Sequence, residues 1–119
     1  MSTAVKPQVA FRMRVMVGDT IAIGPGKVRL LEAIDETGSL TAAAKSIGMS
    51  YRRAWLLMDE LNKSLKTPAL HSAQGGEHGG GTEVTAVGKA LIERYRRIEA
   101  TAARACATDL KALTKLLGD

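Results

Sequence analysis

Aromatic residues are scarce: one Trp, two Tyr and one Phe in 119 residues. A core of stacked rings is therefore excluded, and an aliphatic, alanine-rich core of closely packed helices is expected. There is one cysteine, Cys106, which rules out an intramolecular disulfide and points to a reducing, cytoplasmic compartment. No apolar run is long enough to span a membrane, and the N-terminus lacks a signal-peptide core. Catalytic groupings are also missing: there is no paired acid–base set and no nucleophile–base set. His71 and His78, with one distant cysteine, make no metal-ligand set. An enzyme is not expected, and neither is a cofactor.

Basic residues outnumber acidic ones, 17 to 12, for a net charge of +5. That balance suggests a polyanionic partner. The excess is uneven. Residues 50–66 carry Arg52, Arg53, Lys63 and Lys66 against Asp59 and Glu60, whereas residues 67–84 hold Glu77 and Glu83 and no Lys or Arg. The length suits one domain with a core that needs neither disulfides nor metals.

The most organised stretch is residues 38–61, GSLTAAAKSIGMSYRRAWLLMDEL. Gly38 fits the left-handed end of a preceding helix that starts near Gly26 or Lys27 and runs to Thr37. Ser39 caps the next helix, and Leu40, Ala43, Ala44 and Ile47 recur at helical spacing. Gly48 closes that helix, and Ser50 caps a second one. The small side chains of Ala42, Ala43 and Ala44 leave room for a helix to cross closely. This is the layout of a helix-turn-helix, whose second helix enters the major groove of DNA.

On that second helix Ala54, Met58, Leu61 and Leu65 form the inward stripe, with Trp55 and Asn62 alongside. Tyr51, Arg52 and Arg53 occupy the first turn. Cations there are mildly unfavourable for the helix itself, so two adjacent arginines suggest an anionic partner. The plain alternative is a solvated surface.

Before this unit, residues 9–17 alternate Val9, Phe11, Met13, Val15 and Val17 against Arg12 and Arg14, the pattern of a half-buried strand. Gly18-Asp19 turns the chain, and residues 20–23 return, giving a hairpin over 9–23. Residues 1–8 read as disordered. After the helix-turn-helix, Thr67-Pro68 stops the helix. Residues 69–73 and 82–84 read as strands around a glycine-rich loop, residues 74–81. A strand, loop and strand in that place form a wing. The loop lacks the Gly-Lys-Ser/Thr ending of a phosphate-binding loop and does not lead into a helix. Thr85 caps a final segment, residues 85–117, read as one long helix or two joined ones. Its stripe of Val87, Leu91, Ile98, Ala102, Ala105, Leu113 and Leu117 overruns a small domain. A second copy of the chain is the economical cover, and folding back on the same domain is the runner-up.

Residues 24–98 resemble the N-terminal DNA-binding domain of the ModE-type molybdate-responsive transcription regulators. The likeness rests on TGSLTAAAKSIGMSYRRAW (residues 37–55), Asn62, the glycine-rich wing (residues 75–81) and the Thr85-x-x-Gly88 step. LysR-type regulators share a looser version of the helix-turn-helix, without this wing. The resemblance implies a winged helix-turn-helix; with the segments read above, the expected whole is a mainly α fold with small β elements, an N-terminal hairpin plus winged helix-turn-helix over residues 9–84 and a C-terminal dimerisation helix over residues 85–117. The resemblance also implies a homodimer that binds a roughly palindromic operator. Full-length members carry oxyanion-binding domains after the last helix, and this chain ends at Asp119. Molybdate or another oxyanion is therefore not expected to bind it directly.

The expected DNA-contacting residues are Thr41, Ser50, Tyr51, Arg52, Arg53 and Lys63, with Gln74, Gly75, Gly76 and His78 of the wing. The expected dimer contacts are Leu91, Tyr95, Ile98, Ala102, Ala105 and Leu113. The competing reading is a winged-helix protein-interaction module without DNA binding, favoured by the acidic wing.

Overall fold

The computed structural model describes residues 5–73 and 81–118. Nine elements follow one another: β1 (Val15–Val17), β2 (Thr20–Ile23), α1 (Pro25–Thr37), α2 (Leu40–Ser46), α3 (Tyr51–Ser64), β3 (Leu70–Ala73), β4 (Gly81–Val84), α4 (Ala86–Ala105) and α5 (Ala107–Thr114). They form a mainly helical winged helix-turn-helix with two separate antiparallel hairpins, β1–β2 and β3–β4.

Capping residues set the helix boundaries. Gly38 lies at φ 74° and its N–H bonds Ile34 O, which ends α1 in the left-handed conformation that costs glycine least. The Ser39 hydroxyl accepts from Ala42 N at 3.1 Å, and that of Ser50 from Arg53 N at 3.2 Å. Thr85 does two jobs. Its hydroxyl accepts from Gly88 N at the start of α4 and donates to Pro68 O at 2.7 Å, tying α4 to the entry of β3.

The core is aliphatic, as the shortage of aromatics requires. Leu30, Leu31 and Ile34 of α1 pack on Ala43 and Ala44 of α2 and on Ala54, Met58 and Leu61 of α3. Ala69, Leu70 and Val84 close it from the wing side. Of the alanine triplet, Ala42 faces solvent, while Ala43 and Ala44 are buried where the helices meet. Tyr95 is the buried aromatic. Its hydroxyl donates to Met13 O at 2.8 Å and pins the N-terminal segment to α4. Burial pushes its phenol above the ordinary tyrosine range, so it stays a protonated donor.

Asn62 joins α3 to the wing. Its amide donates to Leu70 O at 2.9 Å, and its Oδ1 accepts from Ala69 N at 2.8 Å. Ala69 and Leu70 are buried, so losing this side chain strands a backbone donor and an acceptor. Asn62→Ala is expected to lower unfolding free energy by about 2–3 kcal/mol, measured by urea denaturation. An unchanged midpoint would mean that water replaces both bonds.

Several elements differ from expectation. The strand read over residues 9–17 is three residues long, because β2 offers only four residues to pair with. Residues 5–14 run without strand pairing, and Val15 and Val17 are exposed rather than half-buried. Trp55 is not part of the inward stripe. It is 49% exposed, since one residue past Ala54 turns it ~100° around the helix. The second helix, expected over residues 50–65, agrees with α3, Tyr51–Ser64 with Ser50 and Leu65 as its caps. The segment 85–117, expected as one long helix or two joined ones, holds two, α4 and α5, with Cys106 between them. Cys106 N bonds Ala102 O and Leu110 N bonds Cys106 O, but Cys106 itself leaves helical geometry at φ -99° and ψ 8°, so α4 and α5 are separate helices. No residue of α5 is buried, so the fold-back reading gains no support. Residues 1–4 and the wing tip, residues 74–80, lie outside the described residues.

Candidate nucleic-acid interface

The first turn of α3 is presented by the turn that precedes it. Gly48 adopts φ 66°, and Met49 N bonds back to Ala44 O at 2.9 Å, which fixes the angle between α2 and α3. Ser50 caps the helix, and Tyr51 and Arg52 then project outward. With Trp55 and Leu56 they line one shallow concavity. Tyr51–Trp55 and Arg52–Leu56 are i, i+4 pairs, so all four share a face. Tyr51, Trp55 and Leu56 are each about half exposed, 54%, 49% and 51%. Together they make an exposed cluster of large apolar side chains around an arginine.

Arg53 points elsewhere. It lines a different cleft, with Leu57 and Glu60. The two arginines therefore occupy separate faces of the same turn. Lys63 sits near the other end of α3, ~16 Å along the axis from Arg52. It pairs with Asp59 at 2.9 Å, and that hydrogen bond raises its pKa. Thr41 is exposed in the first turn of α2. Gln74, Gly75, Gly76 and His78 lie outside the described residues.

The wing strands stand beside α3. Trp55, Asp59 and Asn62 share a groove with His71, Ser72 and Thr82. The register pairs His71 with Glu83, and Thr82 N bonds Gly38 O at 3.0 Å, anchoring β4 to the α1–α2 turn. The sequence reading set Trp55 beside the inward stripe and did not single out Leu56, although their i+4 spacing from Tyr51 and Arg52 carried the signal.

The expected dimer residues divide. Ile98 (48% exposed) and Leu113 (61%) are open, Ala105 is exposed, and Leu91 and Ala102 are half-buried. Tyr95 is a correction: it is 2% exposed and used inside its own subunit. An apolar groove of about 350 Å³ runs beside it, walled by Met13, Val15, Ile23, Leu65, Val87 and Leu91 among others.

Residues 26–89 match the family described as bacterial regulatory helix-turn-helix protein, lysR family. The match runs through β3 and β4, so the likeness to LysR-type proteins extends past the two helices into the wing. Among curated proteins, the molybdenum-pterin-binding protein MopB of Rhodobacter capsulatus is 41% identical over 91 residues, 76% of this chain and 34% of its own length. The transcriptional regulator ModE of Haemophilus influenzae is 35% identical over 89 residues, 75% of this chain and 35% of its own length. The chain thus spans about a third of the length of these relatives. Among solved structures, the CbnR_DBD–DNA complex superposes with a TM-score of 0.56 at 28% identity, covering 74% of this chain and 95% of that one. With more than half of its residues inside the family match, this chain belongs to the lysR family of bacterial regulatory helix-turn-helix proteins.

Proposed function

We propose that the chain is the sequence-specific DNA-binding part of a transcription regulator and acts as a homodimer, with α3 in the major groove and the wing beside the backbone. The observation that carries this is the outward face of the first turn of α3, where Tyr51 and Arg52 stand free of intramolecular ion pairs among the described residues. Two comparisons support it: one structural neighbour is a DNA complex, and several relatives are named transcriptional regulators. Among the described residues no group of three or more potential metal ligands occurs, and no helix is long and apolar enough to cross a membrane. A gel shift with the chain's own upstream region over a salt series tests the reading. Binding of all sequences alike would remove sequence specificity from it.

The separate faces on which the two arginines stand support different work for each. Arg52, on the Tyr51–Trp55 face, reads a base edge, where a bidentate contact to guanine is worth about 1–3 kcal/mol of discrimination. Arg53, on the adjacent face, contacts a phosphate. Arg52→Ala is expected to flatten preference at one operator position. Arg53→Ala is expected to weaken all sequences alike and reduce the salt slope by about one unit. Competition binding with single-position operator variants separates the two. If both variants bind as tightly and selectively as the parent, α3 is not the reading head. The exposed Tyr51, Trp55 and Leu56 would then favour a protein-interaction surface.

A further inference from the structure

Arg53, Leu57 and Glu60 follow one another at three- and four-residue spacing and form a second stripe of α3. This stripe lines a cleft of about 280 Å³ with Arg12 and Arg14 of the N-terminal segment, Ile21 of β2 and the start of α1. Three arginines from two distant stretches of chain therefore border one small space. None of the three has a carboxylate at ion-pair distance among the described residues, whereas Arg96 and Arg97 both do.

The one carboxylate bordering the cleft is already occupied. Glu60 is bound by Lys27 at 2.5 Å, and Lys27 also donates to Ile21 O. Lys27 is 3% exposed, so this pair is partly withdrawn from water and clamps α1, β2 and α3 to one another. Arg14 is held close to the same floor: a Cβ on Gly24 would lie 3.6 Å from its Cγ. The walls are thus tied by an internal ion pair, and the net charge they present is that of the three arginines.

We propose that this cleft holds a phosphate oxyanion, supplied by the sugar–phosphate backbone of the DNA that α3 engages. The proposal rests on the DNA-binding reading above. Arg53 follows Arg52 directly and is turned ~100° from it around the helix axis. If Arg52 faces base edges, Arg53 faces a wall of the groove, and that wall is phosphate. Arg12 and Arg14 lie two residues apart and both border the cleft, so they lie on the same side of the segment. The N-terminal segment, which lies outside the helix-turn-helix, becomes part of the DNA footprint.

Phosphate contacts do not depend on sequence, so a short random-sequence duplex serves as the probe. The full chain and its Arg12→Ala/Arg14→Ala variant are compared by fluorescence anisotropy across roughly 50–200 mM salt. The plot of log K against log salt is expected to become shallower by about 1–2 units in the variant. Its melting temperature should stay unchanged, because both side chains are exposed. Lys111→Ala on α5 should leave the slope as it is. If the parent binds and the double variant keeps the parental slope, the cleft proposal falls and the DNA-binding reading stands. If the parent binds no duplex, the DNA-binding reading falls and takes this inference with it. Inorganic phosphate titrated into the free protein, followed by amide shifts, separates the sources. Saturable binding that needs Arg12 and Arg14, with an unchanged DNA slope, would overturn the DNA backbone as the source.

Discussion

Gly88→Ala is expected to cost about 3 kcal/mol or more and to lower the melting temperature by roughly 10–20 °C. A Cβ at Gly88 would sit 2.2 Å from Ala69 O and 2.6 Å from Val84 Cγ1, far inside van der Waals contact. The obstacle is backbone, and it cannot easily give way. Ala69 O also accepts from Thr85 N at 2.9 Å, and Ala69 N is held by Asn62. Moving β3 away would break both bonds and open the core at Val84 and Leu70. Gly26→Ala provides the contrast. A Cβ there meets nothing within 4 Å in the first turn of α1, so the change should be neutral or stabilising by up to ~1 kcal/mol. Thermal unfolding by circular dichroism measures both. A Gly88→Ala protein that melts with the parent would show that α4 sits farther from β3 than described here.

Removing residues 100–119 is expected to give a folded monomer whose affinity for an inverted-repeat duplex falls by about a hundredfold or more, as the second subunit's contacts are lost. The domain should survive, because its anchors to α4 lie before the cut. Tyr95 bonds Met13 O, and Arg96 bridges Glu32 of α1 and Glu99. Among the described residues beyond residue 99 none is buried, and Leu113, Leu116 and Leu117 are 61–80% exposed. Apolar side chains left open along a helix of this length are the physical reason to expect a second copy. Analytical ultracentrifugation reads the assembly and anisotropy reads the affinity. A truncated chain that still sediments as a dimer would move the interface to the apolar groove beside β1 and the front of α4.

Much of the local structure was legible because it is governed by single residues. Gly38, Ser39, Gly48, Ser50 and Thr85 each stand where a helix must start or stop, and each plays that part. The inward stripe of Ala54, Met58 and Leu61 follows from helical periodicity alone. Trp55 was misplaced because it borders that stripe, and nothing local says whether a large side chain at the border turns in or out. The first strand was overextended because alternation shows that a segment can pair, not that a partner of matching length exists.

What the sequence determined by itself is therefore the order of elements, the helix ends, the core stripe of α3 and the two arginines of its first turn. These depend on interactions within about four residues. The tertiary structure decided everything that depends on distant neighbours. It gave Arg52 and Arg53 different surroundings, because only packing brings Arg12 and Arg14 beside one of them. It buried Lys27 as a clamp between α1, β2 and α3, which a lysine near the start of a helix does not announce. It used Tyr95 within the subunit instead of at its surface, because its partner, Met13 O, lies 82 residues away in the chain. It also gave Gly88 its role. The need for a residue without a Cβ arises from the carbonyl of Ala69 on another element, and no local pattern encodes how closely two elements approach.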